Sequence, residues 1–395
     1  MAQESSTQRQ LANLQDWSQF RQQMPIARTW AYFDHAAVAP LPQPSLEAIS
    51  KWANEAATQG DAVWPSWRQL HEQCRDSAAR LINTSSEEIA LVPNTTFGIN
   101  LVADGLDWQS GDNVVIPDHE FPSNVYPWLA LESRGVEVRR VPLDGHKICI
   151  DRIVEACDER TRVVSVSWIG YASGCRIDPK AMASAVHDAG ALFFLDAIQG
   201  LGVFPLDVRD ADIDFLAADG HKWMLGPEGA GVFYVKSELL EQLRPINVGW
   251  NSVKHRHDFS KVELDLELAA ARFEGGTQNQ AGFIALGASL DLLAEYGLTH
   301  NQSPVAKQVL KTSDTLCDAL MAAGATVHSD REPDFRSGIV LFELAGHEPM
   351  VVRSAMLENM VNVSCRGGHV RAAVHCYNDG NDIDRLIETI GQLKQ

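Results

Sequence analysis

The sequence has no long apolar run. No stretch reaches the roughly 18 uncharged apolar residues that a membrane helix needs, so a helical span is excluded. It is also poor in positive charge, with 33 Lys and Arg against 52 Asp and Glu and a formal net charge of −19. Such a field repels a phosphate backbone, which excludes nucleic acid as an expected partner. Cysteine is scarce and unpatterned: the seven residues (Cys74, Cys149, Cys157, Cys175, Cys317, Cys365, Cys376) are odd in number and form no CxxC pair. Neither a disulfide framework nor a zinc site is indicated, and no metal is expected. The opening MAQESSTQRQLANLQ lacks the apolar core of a signal peptide, so a cytoplasmic location is expected. There is no internal repeat and no low-complexity linker.

What is present is ordinary globular material: 395 residues, 45% hydrophobic and 22% charged, long enough for two domains. Between about Glu87 and Val235 short β-branched or aromatic runs (EIALVP, DNVVIP, VEVRRVP, TRVVSVSWI, ALFFLD, DFLAAD, GAGVFYV) alternate with amphipathic stretches. That rhythm predicts an α/β fold with a mostly parallel central sheet covered on both faces. After it, RFEGGTQNQAGFIALGASLDLLAEYG reads as a glycine turn and a long helix, and the tail reads as helix, strand, helix, strands and a final helix. The expected organisation is an N-terminal arm (1–30) packing with the small domain, a large α/β domain (31–290) and a small α+β domain (291–395).

Three local features fall at the carboxyl ends of predicted strands, where open α/β sheets bind ligands. ALFFLD closes on Asp196 and leads to Gln199. DFLAAD leads through Gly220 and His221 to Lys222. ALVPNTTFGIN passes from a predicted strand into a helix start at Thr95 and Thr96. An amine there can form a Schiff base with an aldehyde, and an acid can pair with a protonated pyridine nitrogen. A helix start offers backbone N–H groups to a phosphate. Pyridoxal phosphate needs all three.

The separated motifs DAIQ and ADGHKW-x-x-GPEG-x-G resemble the core of the class V aminotransferase family of fold-type I pyridoxal phosphate enzymes, which includes cysteine desulfurases, kynureninases and isopenicillin N epimerase. The likeness runs from YFDHAAVAPLP to YNDGNDIDRLI. It implies that Lys222 forms the Schiff base, that Asp196 holds the ring nitrogen and that Gln199 meets the phenolic oxygen. By the same resemblance Thr95, Thr96 and His221 contact the phosphate, and HEFPSNVYPW supplies Phe121 as the stacked ring with Asn124 near the phenolic side. RFEGGTQN looks like the stretch that reaches a neighbouring subunit's cofactor through Gly276 and Thr277, which implies a homodimer with shared active sites. SCRGGHVRAAVHCYN aligns with the segment holding the substrate carboxylate, where Arg371 ranks ahead of Arg366. His35 and Ala36 lie in the turn resembling the substrate-side lip.

Two departures stand out. Asp219 takes a place where many desulfurases have serine, so its carboxylate is expected to turn away from the phosphate, onto backbone amides. The loop before Arg371, GGHV, is short and lacks the reactive cysteine of the desulfurases closest in motif. The first expectation is therefore an enzyme acting at the α-carbon of an amino acid by transamination or epimerisation. A desulfurase-like C–S lyase without that cysteine loop is the alternative, and a non-catalytic cofactor-binding scaffold is a third reading.

Overall fold

Thirteen strands occur within residues 16–393, which the computed structural model describes. In chain order they are β1 (Ala31–Tyr32), β2 (Ile89–Val92), β3 (Asn113–Pro117), β4 (Glu137–Val141), β5 (Thr161–Ser167), β6 (Leu192–Asp196) and β7 (Phe215–Asp219). Next come β8 (Gly231–Val235), β9 (Thr326–Val327), β10 (Ile339–Glu343), β11 (Val361–Asn362), β12 (Ser364–Arg366) and β13 (His369–Ala373). The seven runs read from the sequence form one seven-stranded sheet in the order β2-β8-β7-β6-β5-β3-β4.

Alternate residues of these strands face two different cores. Phe193, Leu195, Leu216 and Ala218 belong to one apolar cluster, while Phe194, Phe215 and Ala217 belong to the other. Burial on both faces explains why β2, β3, β7 and β8 are apolar almost throughout. β4 is one of the two edge strands, and its exposed Glu137 and Arg140 are the charges that keep such an edge from pairing further.

Strands β3 to β7 are mutually parallel, whereas β8 is antiparallel to both neighbours. The reversal follows from chain length: residues 220–230 contain no helix and are too few for the crossover that a parallel partner requires. Helical alternation is also thinner than the sequence rhythm suggests. Helices Thr95–Gly105, Ile150–Glu155 and Pro179–Asp188 intervene between strands, but β6 reaches β7 through turns alone. The structure adds a helix at Trp64–Leu81, which packs with Gln43–Thr58 against the long helix Gln280–Glu295.

The tail forms an antiparallel sheet, β12-β13-β10-β9, beside helices Pro304–Ala322, Pro349–Glu358 and Gly380–Leu393. β1 pairs in parallel with β11. Ahead of it, Arg21 on helix Trp17–Gln22 holds Asp382 with two hydrogen bonds of 2.7 and 3.0 Å. The described residues contain no helix long and apolar enough to cross a membrane.

Candidate active site

Because β2 runs in the direction of β7, the segments leaving β2, β3, β5, β6 and β7 all emerge at one edge of the sheet. A pocket of about 300 Å³ opens there. β7 ends at Asp219, whose backbone N–H donates to Thr95 Oγ1 over 2.9 Å. The chain then turns and delivers Lys222, only 7% exposed, into the pocket. Its Nζ lies 5.5 Å from the centroid of the Phe121 ring. Asp196, at the end of the adjacent β6, lines the same pocket and is 2% exposed. Among the described residues its one side-chain hydrogen bond comes from Ile198 N–H at 3.1 Å.

Burial sets the protonation of both groups. The amine of Lys222 is pulled down to about 8 by desolvation, which the opposing pull of Asp196 only partly offsets and the charge of Arg371 reinforces. The carboxyl of Asp196 is pushed up to about 6 by desolvation, against the Ile198 hydrogen bond and the Lys222 charge. A carboxyl with a raised folded pKa loses stability as pH rises from its unfolded value near 3.8 to about 6. At pH 7 the ionised Asp196 therefore costs the cofactor-free fold on the order of 2–3 kcal/mol. Asp196→Asn should accordingly raise the melting temperature of cofactor-free protein at pH 7 while weakening cofactor retention. The gain should shrink as pH falls from 6 toward 4, and a variant less stable than wild type at pH 7 would contradict this account.

One end of the pocket is the start of helix Thr95–Gly105. Asn94 caps it by accepting a hydrogen bond from Phe97 N–H at 2.9 Å, and Thr96 Oγ1 donates to Ser123 Oγ at 2.8 Å. Asn94, Thr95, Thr96, Ser123 and His221 all line the pocket. The helix sits close to the sheet because residue 98 is glycine: a Cβ there would stand 2.6 Å from that of Ala217. Asp219 does not turn onto backbone amides. Its side chain faces the pocket, with Oδ2 3.0 Å from His221 Nδ1 and Oδ1 buried without a hydrogen-bond partner.

At the opposite end stand two guanidiniums. Arg371, on β13, is 1% exposed. It donates to Ser364 Oγ (3.1 Å), Tyr171 O (2.6 Å) and Asp34 Oδ1 (3.2 Å). Arg366 closes β12, donates to Cys365 O at 2.7 Å and also lines the pocket. The turn between them is Gly367-Gly368 with φ of +56° and +79°, a two-residue hairpin that only glycine enters without strain. It leaves no room for a cysteine-bearing loop.

Gln199 lines the pocket, its amide fixed between Ala36 O (3.1 Å) and Trp223 Nε1 (2.7 Å). Ala36 lines it too, held near Lys222 because Ala39 N–H donates to His221 O over 2.7 Å. His35 does not. Its ring is wholly buried, spent on Ala373 O (2.9 Å) and the Tyr377 hydroxyl (2.8 Å), and desolvation pulls its pKa down to about 4. Asn124 is likewise turned inward, accepting from Trp128 Nε1 and Ser165 Oγ, and is not a wall of the pocket. Gly276 and Thr277 border a different cavity, with Trp64 and Trp250. Residues the sequence reading did not single out are Asn94, Ser123, Tyr171 and the Asp34–Ser364 pair that braces Arg371. The Phe121 loop is anchored by Glu120, which accepts from Ser167 N–H at 2.7 Å.

This donor set fits pyridoxal phosphate. An amine with a lowered pKa, a buried carboxyl with little else to bind, a flat aromatic face and a helix start rich in hydroxyls surround one cavity. Lys222, Asp196, Gln199, Phe121, Thr95, Thr96 and His221 all line it and are the residues that would hold the cofactor.

Comparison with known proteins gives the same direction. The family described as Aminotransferase class-V matches residues 31–386. A probable cysteine desulfurase of Methanothermobacter thermautotrophicus is 35% identical over 397 residues, covering 94% of this chain and 97% of that protein. The structure of the cysteine desulfurase CsdA of Escherichia coli superposes with a TM-score of 0.85 at 27% identity, covering 96% and 98% of the two chains. A lysine-to-alanine variant of C-DES, with glycine covalently linked to its PLP cofactor, superposes at a TM-score of 0.87 over 94% and 98%. Its 23% identity makes that a likeness of fold.

Proposed function

Since the chain belongs to the aminotransferase class-V family of pyridoxal phosphate enzymes, we propose that it is a C–S lyase acting on cysteine or a cysteine-like amino acid. The cysteine desulfurase names of its relatives weigh for sulfur chemistry and against the first expectation of transamination or epimerisation. The observation that carries the reading is one pocket holding Lys222, Asp196, Arg371 and Arg366, with no cysteine among its described walls. Cys365, the nearest in sequence, is pushed above its ordinary pKa by burial, which disfavours the thiolate that a sulfur carrier needs.

The residues divide the work. Bound pyridoxal phosphate supplies an electron-accepting ring for the charge that develops when the α-carbon loses its proton. Asp196 would hold the ring nitrogen with its carboxylate and favour its protonated form. Arg371 holds the substrate carboxylate in a bidentate grip. Lys222, whose amine burial pulls below its ordinary pKa, takes the α-proton as a general base. Loss of the β-sulfur with its bonding pair then releases sulfide. Hydrolysis of the remaining three-carbon fragment gives pyruvate and ammonia, which balances cysteine plus water.

Incubation with L-cysteine, with sulfide, pyruvate and alanine quantified together, tests the reading. Sulfide and pyruvate in equal amounts are expected. Alanine accompanied by a protein-bound persulfide would make the enzyme a desulfurase in the strict sense, and no sulfur release with any thiol amino acid would return it to transamination or epimerisation.

The same reading includes a homodimer. Phe259, Val262, Leu264 and Leu268 are 76, 94, 73 and 64% exposed, apolar side chains interleaved with charges on the segment whose Phe259 borders the Gly276–Thr277 cavity, of the kind that a second copy covers. A solution mass of one chain would remove it.

A further inference from the structure

Outside the pocket, the small sheet brings two imidazoles and a carboxylate together. His328 follows β9, Glu343 closes β10 and His369 opens β13. Val370 pairs with Phe342, so His369 and Glu343 meet at the next position of the ladder, and His328 N–H donates to Leu341 O on the other side of β10. His328 Nε2 lies 3.4 Å and His369 Nε2 lies 3.7 Å from one oxygen, Glu343 Oε2. The ring centroids are 4.3 Å apart. Among the described residues this is the one group of three or more such side chains whose ligand atoms all fall within 4.8 Å of one another.

An ordinary ion pair does not account for it. Both separations are long for a hydrogen bond, and His328 Nε2 is buried without a partner. His369 Nδ1 is 2.9 Å from Gly367 O, a contact that only Nδ1–H can make as donor. In the neutral ring that bond leaves the Nε2 lone pair facing Glu343, a repulsive pairing that a cation between them would reverse. The spacing suits one: ligands at roughly 2.0–2.2 Å around a tetrahedral ion stand about 3.3–3.6 Å from each other.

The geometry points to a binding site for a divalent transition-metal ion of the zinc class, held by His328 Nε2, His369 Nε2 and the Glu343 carboxylate, with at least one position left to water. Imidazole with one carboxylate selects such ions over magnesium or calcium. A cavity of about 260 Å³ lined by His119, His146 and His369 adjoins the cluster and gives it access to solvent. The cysteine pattern could not announce this site, because its ligands are two histidines and a glutamate brought together only by the register of the small sheet. His369 pairs across the glycine turn with Arg366, so a bound ion ties the arginine-bearing hairpin to β9 and β10.

The test uses untagged holoenzyme, stripped with chelator and equilibrated with low-micromolar zinc chloride. One ion per chain is expected in wild type, with loss in His328→Gln and in Glu343→Gln, each variant keeping its cofactor absorbance and secondary structure. Amide exchange at residues 366–369 should slow on zinc loading of wild type and not of the variants. Wild type that takes up no ion, or both variants binding as well as wild type, overturns the site. Binding without slower exchange overturns the tie to the hairpin.

Discussion

Replacing Lys222 by alanine is expected to lower kcat by about 10²–10⁴-fold, the usual contribution of one positioned proton carrier, while the protein remains folded. The folding part follows from the sign of the lysine's shift. Its folded pKa lies near 8 rather than 10.5, so the protonated amine burdens the native state below pH 8 and that burden fades between pH 8 and 10.5. At pH 7 it is on the order of 3 kcal/mol, comparable to what a buried truncation of this size costs by opening a cavity. The two effects oppose each other, so the cofactor-free variant is expected to stay folded at pH 7. Borohydride reduction of holoenzyme should attach the cofactor irreversibly to wild type and not to Lys222→Ala. Activity within tenfold of wild type would remove Lys222 from its role and the proposed function with it.

Much of this site was readable because its first half is local. Thr95, Asp196 and Lys222 each stand at the end of an apolar run, and strand direction carries all three to one edge. What sequence could not supply is anything fixed by distant contact. Tyr171 and Asp34 meet Arg371 only because β13 runs beside β10 and the Asp34 segment bridges to Ala373. His35 and Ala36 are neighbours in the chain yet face opposite ways, the histidine into the core and the alanine into the pocket. The same limit hid β8's reversal, since an apolar strand reads alike in either direction. It also hid the His328–Glu343–His369 group, which exists only once the register of the small sheet is known.

Arg371 and Arg366 both border the pocket, and their surroundings predict very different consequences of mutation. A guanidinium has five N–H donors. Three of Arg371's are spent on Ser364 Oγ, Tyr171 O and Asp34 Oδ1, which leaves two to grip a carboxylate in a fixed direction. Arg371→Lys keeps the charge but cannot hold three braces and a forked contact at once. KM for the amino acid should rise about 10–150-fold, the equivalent of a lost charge-assisted hydrogen bond of about 1.5–3 kcal/mol, with little change in kcat. Arg371→Ala should go further: it strands the carboxylate of Asp34, which is 8% exposed, and a buried charge deprived of its partner destabilises by about 3–5 kcal/mol. Thermal unfolding should show that loss, and the double variant Asp34→Ala with Arg371→Ala should recover part of it. Arg366 is half-buried and held by one bond to its neighbour's carbonyl, so Arg366→Ala should raise KM less and leave stability nearly unchanged. A larger KM for Arg366→Ala than for Arg371→Lys would exchange their roles and make Arg371 a brace for the Asp34 turn, its two remaining donors unused by the substrate.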